Sequence, residues 1–162
     1  MKRNTTIVAA AVAMIAVVIL GASALYSWAV SLGASPNWRL AFRMLCHGMP
    51  DRSLELFGVA MPICARCTAI YLGLLLGLFS FLVLAAARSI GAGAAKLSGP
   101  MGKLWLLIAV APLAVDGITQ ALGLRESVNP LRIATGLLAG AVFGYWVLSE
   151  VEHQKAHTFS VS

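Results

Sequence analysis

Residues 68–87, TAIYLGLLLGLFSFLVLAAA, contain no charged side chain and are apolar almost throughout. As a helix at 1.5 Å per residue they would rise about 30 Å, the thickness of a bilayer's hydrocarbon core. Three further stretches share this character: 6–30 before it, then 104–122 and 133–149 after it. Asp116 is the one charged residue inside any of the four. In lipid every backbone N–H and C=O needs an internal partner, so the stretches are read as helices rather than open strands. The expected fold is all-α: an integral membrane four-helix bundle, one membrane domain over 1–162, with a short interfacial helix at about 36–46.

Composition agrees with that class. The chain has 162 residues, of which 60% are hydrophobic and only 11% charged, and its mean hydropathy is +0.88. A formal charge of +6 raises the question of nucleic acid. The basic residues, however, are scattered around apolar blocks and form no stripe with interleaved aromatics, so nucleic acid is excluded as a partner. They are read as flanks of membrane spans, and the partner as the lipid bilayer.

The first span has a rival reading. Lys2 and Arg3, an apolar run and then Ala22-Ser23-Ala24 resemble a cleaved secretory signal. The apolar stretch continues through Leu25, Tyr26, Trp28 and Val30, which favours a retained helix.

A cytoplasmic N-terminus puts Lys2, Arg3, Arg88, Lys96, Lys103 and Lys155 inside and Arg39, Arg43, Arg52, Arg66, Arg125 and Arg132 outside. The count ties under the positive-inside rule. Residue type breaks the tie, because every lysine then falls inside while the outer face carries arginines only. The expectation is a prokaryotic inner (plasma) membrane protein with cytoplasmic termini and extracytoplasmic site loops. Parity gives a firmer result: the loops after the first and third spans share one membrane face, whichever it is.

Cys46-His47 and Cys64-Ala65-Arg66-Cys67 lie in the first of those loops and use all three cysteines. Ser35-Pro36-Asn37 reads as the start of the interfacial helix, with Trp38 at headgroup level and Arg39 and Arg43 reaching to water. Gly48 and Pro50 stop it. A loop follows to Pro62, which is expected to open the second span, with Cys64 and Cys67 on one face of its first turn and Tyr71 one turn below. In one reading Cys46, His47, Cys64 and Cys67 form a tetrahedral Cys3His site, normally for zinc, supported by Arg52, Arg66 and Tyr71. In another, Cys64 and Cys67 are a redox dithiol activated by the helix end and Arg66, with Cys46 resolving and a quinone taking the electrons. A third reading makes them ordinary small buried residues.

These residues resemble the signature of a family of small polytopic prokaryotic membrane proteins of unknown function. That signature is a Cys-His pair, an Arg-Ser shortly after it, then Pro-x-Cys-x-Arg-Cys-Thr-Gly-x-Tyr-x-Gly. Here it appears as Cys46-His47, Arg52-Ser53 and Pro62 through Gly73, with Ala69 where the pattern has glycine. The resemblance continues in Asp116-Gly117, Thr119-Gln120, Arg132 and Thr135-Gly136. It implies a polytopic membrane fold and brings no activity with it.

The second polar group lies in the loop of matching parity. Asp116 is about 9 Å inside its span, where an ionisable group needs a partner and marks a candidate site. Pro112, Asp116 and Gln120 recur every fourth residue on one helix face. The short connection 123–132 makes the last two spans neighbours, which brings Arg132 within expected reach of Asp116. Asp116, Gln120, Arg125, Arg132 and Thr135 are therefore read as a pocket for a polar or anionic, lipid-like ligand, or more plainly as a structural pair locking two helices. Gly73 and Gly77, and Gly136, Gly140 and Gly144, have the spacing of close helix contacts. His153 and His157 are read as a solvated tail.

The function expected from these features is a membrane protein whose zinc-type site adjoins a polar intramembrane pocket. A closed four-ligand site would be structural, whereas an open zinc would allow hydrolase or transferase chemistry. A thiol–disulfide oxidoreductase and a small transporter or binding subunit using Asp116 are the alternatives.

Overall fold

Glycines on two helices bring their backbones into direct contact. In the computed structural model, which describes residues 3–35, 37, 39–88, 99–124 and 128–160, the chain runs through α1 (Arg3–Ser31), α2 (Arg39–Phe42), a 3-10 turn (Pro50–Arg52), β1 (Ser53–Leu56), β2 (Val59–Cys64), α3 (Ala65–Arg88), α4 (Gly99–Ala121) and α5 (Asn129–Ser160). Along α3 and α5 a Cβ on Gly136 would come within 2.8 Å of the Arg66 carbonyl oxygen, and one on Gly144 within 2.5 Å of that of Leu74. At Gly73, Gly77 and Gly140 it would fall closer still to the carbonyls of Leu137, Ala141 and Ile70. No side chain fits at these contacts, which is the small-residue solution to packing without a hydrophobic drive between helices. Contacts advance together along both helices, so α3 and α5 run parallel.

α1 closes one side of this pair. Ala9, Leu78, Phe81, Tyr145 and Leu148 form a buried cluster, with the Phe81 and Tyr145 rings edge to face at 5.4 Å. α4 packs on α5. Ile7, Met14, Val17, Phe79, Leu107 and Val115 stay exposed around the outside. Such an apolar coat is a liability in water and the expected outer face in lipid. Four helices are long and apolar enough to cross a membrane: Thr5–Ser31, Ala65–Ala86, Met101–Ala121 and Asn129–His153.

The residues between α1 and α3 depart from expectation. The region read as a loop is a β-hairpin, β1 antiparallel to β2. Leu56 pairs with Val59, and the two residues between them, Phe57 (φ 57°) and Gly58 (φ 73°), both have positive φ, the geometry that suits the twist of a two-residue hairpin turn. Pro62 therefore lies inside β2 and does not open the helix. The register slips between Ser53 and Glu55, so Pro62 falls in the irregular part of the ladder, where a missing N–H is tolerated. Cys64 ends the strand, and Cys67 alone lies in the first turn of α3.

The interfacial helix expected over 36–46 is also shorter. Among the described residues of that stretch Arg39–Phe42 is the α-helical part, and Arg43, Met44 and Leu45 each hydrogen-bond three residues back. Tightening the chain there turns Cys46 away from the α2 axis and toward β2. Phe42 and Tyr26 pack edge to face at 6.4 Å, in a cluster with Cys46, Met61 and Ile63 that seats this segment on α1. Pro36, Trp38, Lys96 and Arg125 lie outside the described residues.

Candidate functional site

Two backbone features bring the cysteines together. Gly48, two residues after Cys46, has φ 58°, and a Cβ there would sit 2.6 Å from the Pro62 carbonyl oxygen. Only glycine meets both conditions, and it lets the Cys46-His47 turn lie directly against β2. The Cys64 N–H then donates to Cys46 Sγ at 3.2 Å. Ser53 Oγ donates to the Met49 carbonyl at 2.9 Å, tying the intervening 3-10 turn, and Thr68 Oγ1 donates to the Cys64 carbonyl at 3.2 Å across the strand–helix junction.

The Sγ atoms of Cys46, Cys64 and Cys67 lie within 4.8 Å of one another, and all three cysteines are free of disulfides. Hydrogen bonds from the Cys64 and Cys67 thiols and from the Cys64 backbone hold the Cys46 thiol far below the usual thiol range, against the opposing effect of burial. Three sulfurs converging on one point, one of them favouring thiolate, are a donor set for a soft or borderline divalent metal. His47, expected as a fourth member, is exposed and stands outside the sulfur cluster.

The cluster opens onto a cavity of about 450 Å³ whose wall includes His47, Arg52, Arg66, Gln120 and Arg132. It is thus built from the loop after α1, the start of α3, the end of α4 and the start of α5, the four segments that parity places on one face. Gln120 and Arg132 line it. Asp116 and Thr135 instead line a separate apolar groove of about 720 Å³ with Pro112, Val115 and Leu131. Tyr71 is not part of the cavity wall.

The buried ion pair also differs from expectation. Asp116, 3% exposed, pairs with Arg66, whose Nη2 also lies 3.4 Å from Gln120 Oε1. Arg132 donates instead to Asn129 Oδ1 at 3.0 Å. The loop length had favoured Arg132, but Arg66 leaves the first turn of α3 at the same depth as the end of α4. Gly117 lies beside the guanidinium, where a Cβ would meet Arg66 Nη1 at an ordinary contact of 3.7 Å. Thr119 and Thr135 turn their hydroxyls back to the Val115 and Leu131 carbonyls of their own helices, at 2.7 and 2.9 Å. The hairpin that carries Cys64 was missed by sequence reasoning, and its only signal was Phe57-Gly58 between two short apolar runs.

Four long apolar helices capped at one face by a cysteine cluster and an arginine-lined cavity define a polytopic helical membrane protein. The chain belongs to the family described as "Predicted membrane protein (DUF2085)", which matches residues 46–146. It is similar to the uncharacterized protein MJ1492 of Methanocaldococcus jannaschii, 40% identical over 107 residues covering 66% of this chain and 64% of that relative. The chain thus spans a little under two thirds of that relative's length. An uncharacterized protein of Methanothermobacter thermautotrophicus is 39% identical over 112 residues, 69% of this chain and 90% of that one. No solved structure matches.

Proposed function

We propose that Cys46, Cys64 and Cys67 hold a zinc-type ion at the membrane surface, and that the adjoining cavity binds a polar or anionic ligand. The observation that carries this reading is the convergence of three sulfurs at the wall of an arginine-lined cavity. The oxidoreductase reading also uses all three sulfurs, with Cys46 resolving, so metal content and thiol counting decide between the two. His47 at the cavity rim would be the residue to add a fourth ligand and make the site structural; without it, a metal held by the three cysteines would supply Lewis-acid chemistry beside the ligand.

Protein purified without chelator or added metal is expected to carry about one zinc per chain. All three thiols should resist alkylation until a chelator is added. Metal-free protein with a reversible Cys64–Cys67 disulfide would defeat the reading and establish the oxidoreductase alternative.

The same reading puts the cavity on the extracytoplasmic face of a prokaryotic inner membrane, supported by the placement of every lysine on the opposite side. C-terminal reporter fusions test this. A fluorescent-protein fusion should glow and an alkaline-phosphatase fusion should be inactive, and the opposite pair of results would place the site in the cytoplasm.

A further inference from the structure

Arg132 is 5% exposed, yet its hydrogen bond goes to the neutral amide of Asn129. Among the described residues it has no ion-pair partner, and Asp116 is engaged by Arg66. A guanidinium does not release its proton in proteins, so burying it without a counter-charge is strongly unfavourable. Arg66 Nε is buried with no hydrogen-bond partner among the described residues. Both side chains line the cysteine cavity, and Arg52 lines it too. A divalent metal on three thiolates would carry one net negative charge, and Asp116 supplies another. Arg52 is held by Asp51 at 3.5 Å and Arg66 by Asp116, so Arg132 is the guanidinium of the cavity wall that has no carboxylate at ion-pair distance among the described residues.

The ligand that answers a buried Arg132 is an anion with several acceptor oxygens. Arg52, Arg66 and Arg132 come from three different elements and approach from different directions. That arrangement suits a tetrahedral oxyanion better than a planar carboxylate, and guanidinium forks match phosphate oxygens in particular. A cavity of about 450 Å³ is the size that accepts an organic molecule rather than a bare ion. We infer that the cavity binds a phosphate-bearing ligand, gripped by the guanidiniums of Arg132 and Arg66. This deepens the proposed function by naming the ligand class, and Arg132 binding is separable from metal binding.

The test uses the full chain in a phosphate-free glycoside detergent, with metal content measured on every sample. Inorganic phosphate and glycerol phosphate are titrated in solution, and phosphatidic acid is titrated in mixed micelles against diacylglycerol. Saturable binding of at least one phosphate probe is expected. Binding of phosphatidic acid alone identifies a lipid headgroup, and binding of the soluble probes identifies a soluble phosphate. Arg132→Gln should weaken binding about a hundredfold with metal content unchanged, and Arg132→Lys, which keeps the charge but loses the fork, about tenfold. Because Arg132→Gln also removes an uncompensated buried charge, the ligand-free variant should melt higher than the wild type. Arg43→Gln, exposed and outside the cavity, should change nothing. Loss of metal with phosphate binding retained defeats the metal reading and leaves this one standing. No binding to the wild type, equal binding to Arg132→Gln, or a lower melting temperature of ligand-free Arg132→Gln overturns the proposal.

Discussion

Replacing Cys67 by serine is expected to strip the metal from the protein and lower its stability by about 4 kcal/mol, the linkage value for an ion present at about a thousandfold over its dissociation constant. The cost arises because the three sulfurs belong to three separately placed pieces of chain: the turn after α2, the end of β2 and the first turn of α3. A bound ion joins all three, so its binding free energy is also folding free energy for this face of the molecule. The cluster of Ala9, Leu78, Phe81, Tyr145 and Leu148 and the glycine contacts at Gly77 and Gly144 lie further along the helices than the cysteines, so helicity should survive while the hairpin loosens. His47→Ala provides the contrast. His47 is exposed and outside the sulfur cluster, so this variant should keep its metal, bound more weakly. Metal content and thermal melts of the two variants beside the wild type check both expectations. A Cys67→Ser protein that retains stoichiometric metal would refute the assignment.

The sequence exposes some parts of this arrangement and hides others for physical reasons. Long uncharged runs such as 68–87 are legible because bilayer thickness and the need to satisfy backbone groups leave a helix as the only solution. Gly73, Gly77, Gly136, Gly140 and Gly144 announce close contact, and in the structure each lies against the backbone of the other helix of the α3–α5 pair. The gathering of Cys46 with Cys64 and Cys67 is suggested by residue type alone. The hairpin is not legible. Its strands have four and six residues, too short for alternation to stand out, and Pro62 argues against a strand until the slipped register that accommodates it is known.

The polar helix residues show a different limit. Spacing placed Pro112, Asp116 and Gln120 on one face, yet Gln120 lines the cysteine cavity while Pro112 and Asp116 line the apolar groove. A helix wedged between two cavities presents different residues to each, and four-residue periodicity cannot tell which neighbour each one meets. The partner of Asp116 was hidden for a related reason. Arg132 was nearer along the chain, but Arg66, far away in sequence, starts α3 at the depth where α4 ends. Connection length was a poor guide because α5 packs most extensively on α3 rather than on α4.

That pairing makes Arg66 and Asp116 the second place where a substitution should have a large effect. Arg66→Gln takes the Arg66 guanidinium away from a carboxylate that is 3% exposed inside a span, at an expected cost of about 3 kcal/mol, the lower end for breaking a buried pair. Asp116→Asn should cost less. The Arg66 side chain is 20% exposed, keeps Gln120 beside it and reaches the cavity, where water or an anion can satisfy it. The double variant removes both charges and substitutes two neutral amide groups, so it should recover most of the loss of Arg66→Gln. The coupling term of the double-mutant cycle, measured by unfolding in a fixed detergent, isolates the pair from the packing each side chain also supplies. Additive losses would show that the two residues act independently and would remove the pair as the tie between α3 and α4. A coupling of about 2 kcal/mol or more would establish it as the polar lock that holds α4 against α3, where no paired glycines draw the two helices together.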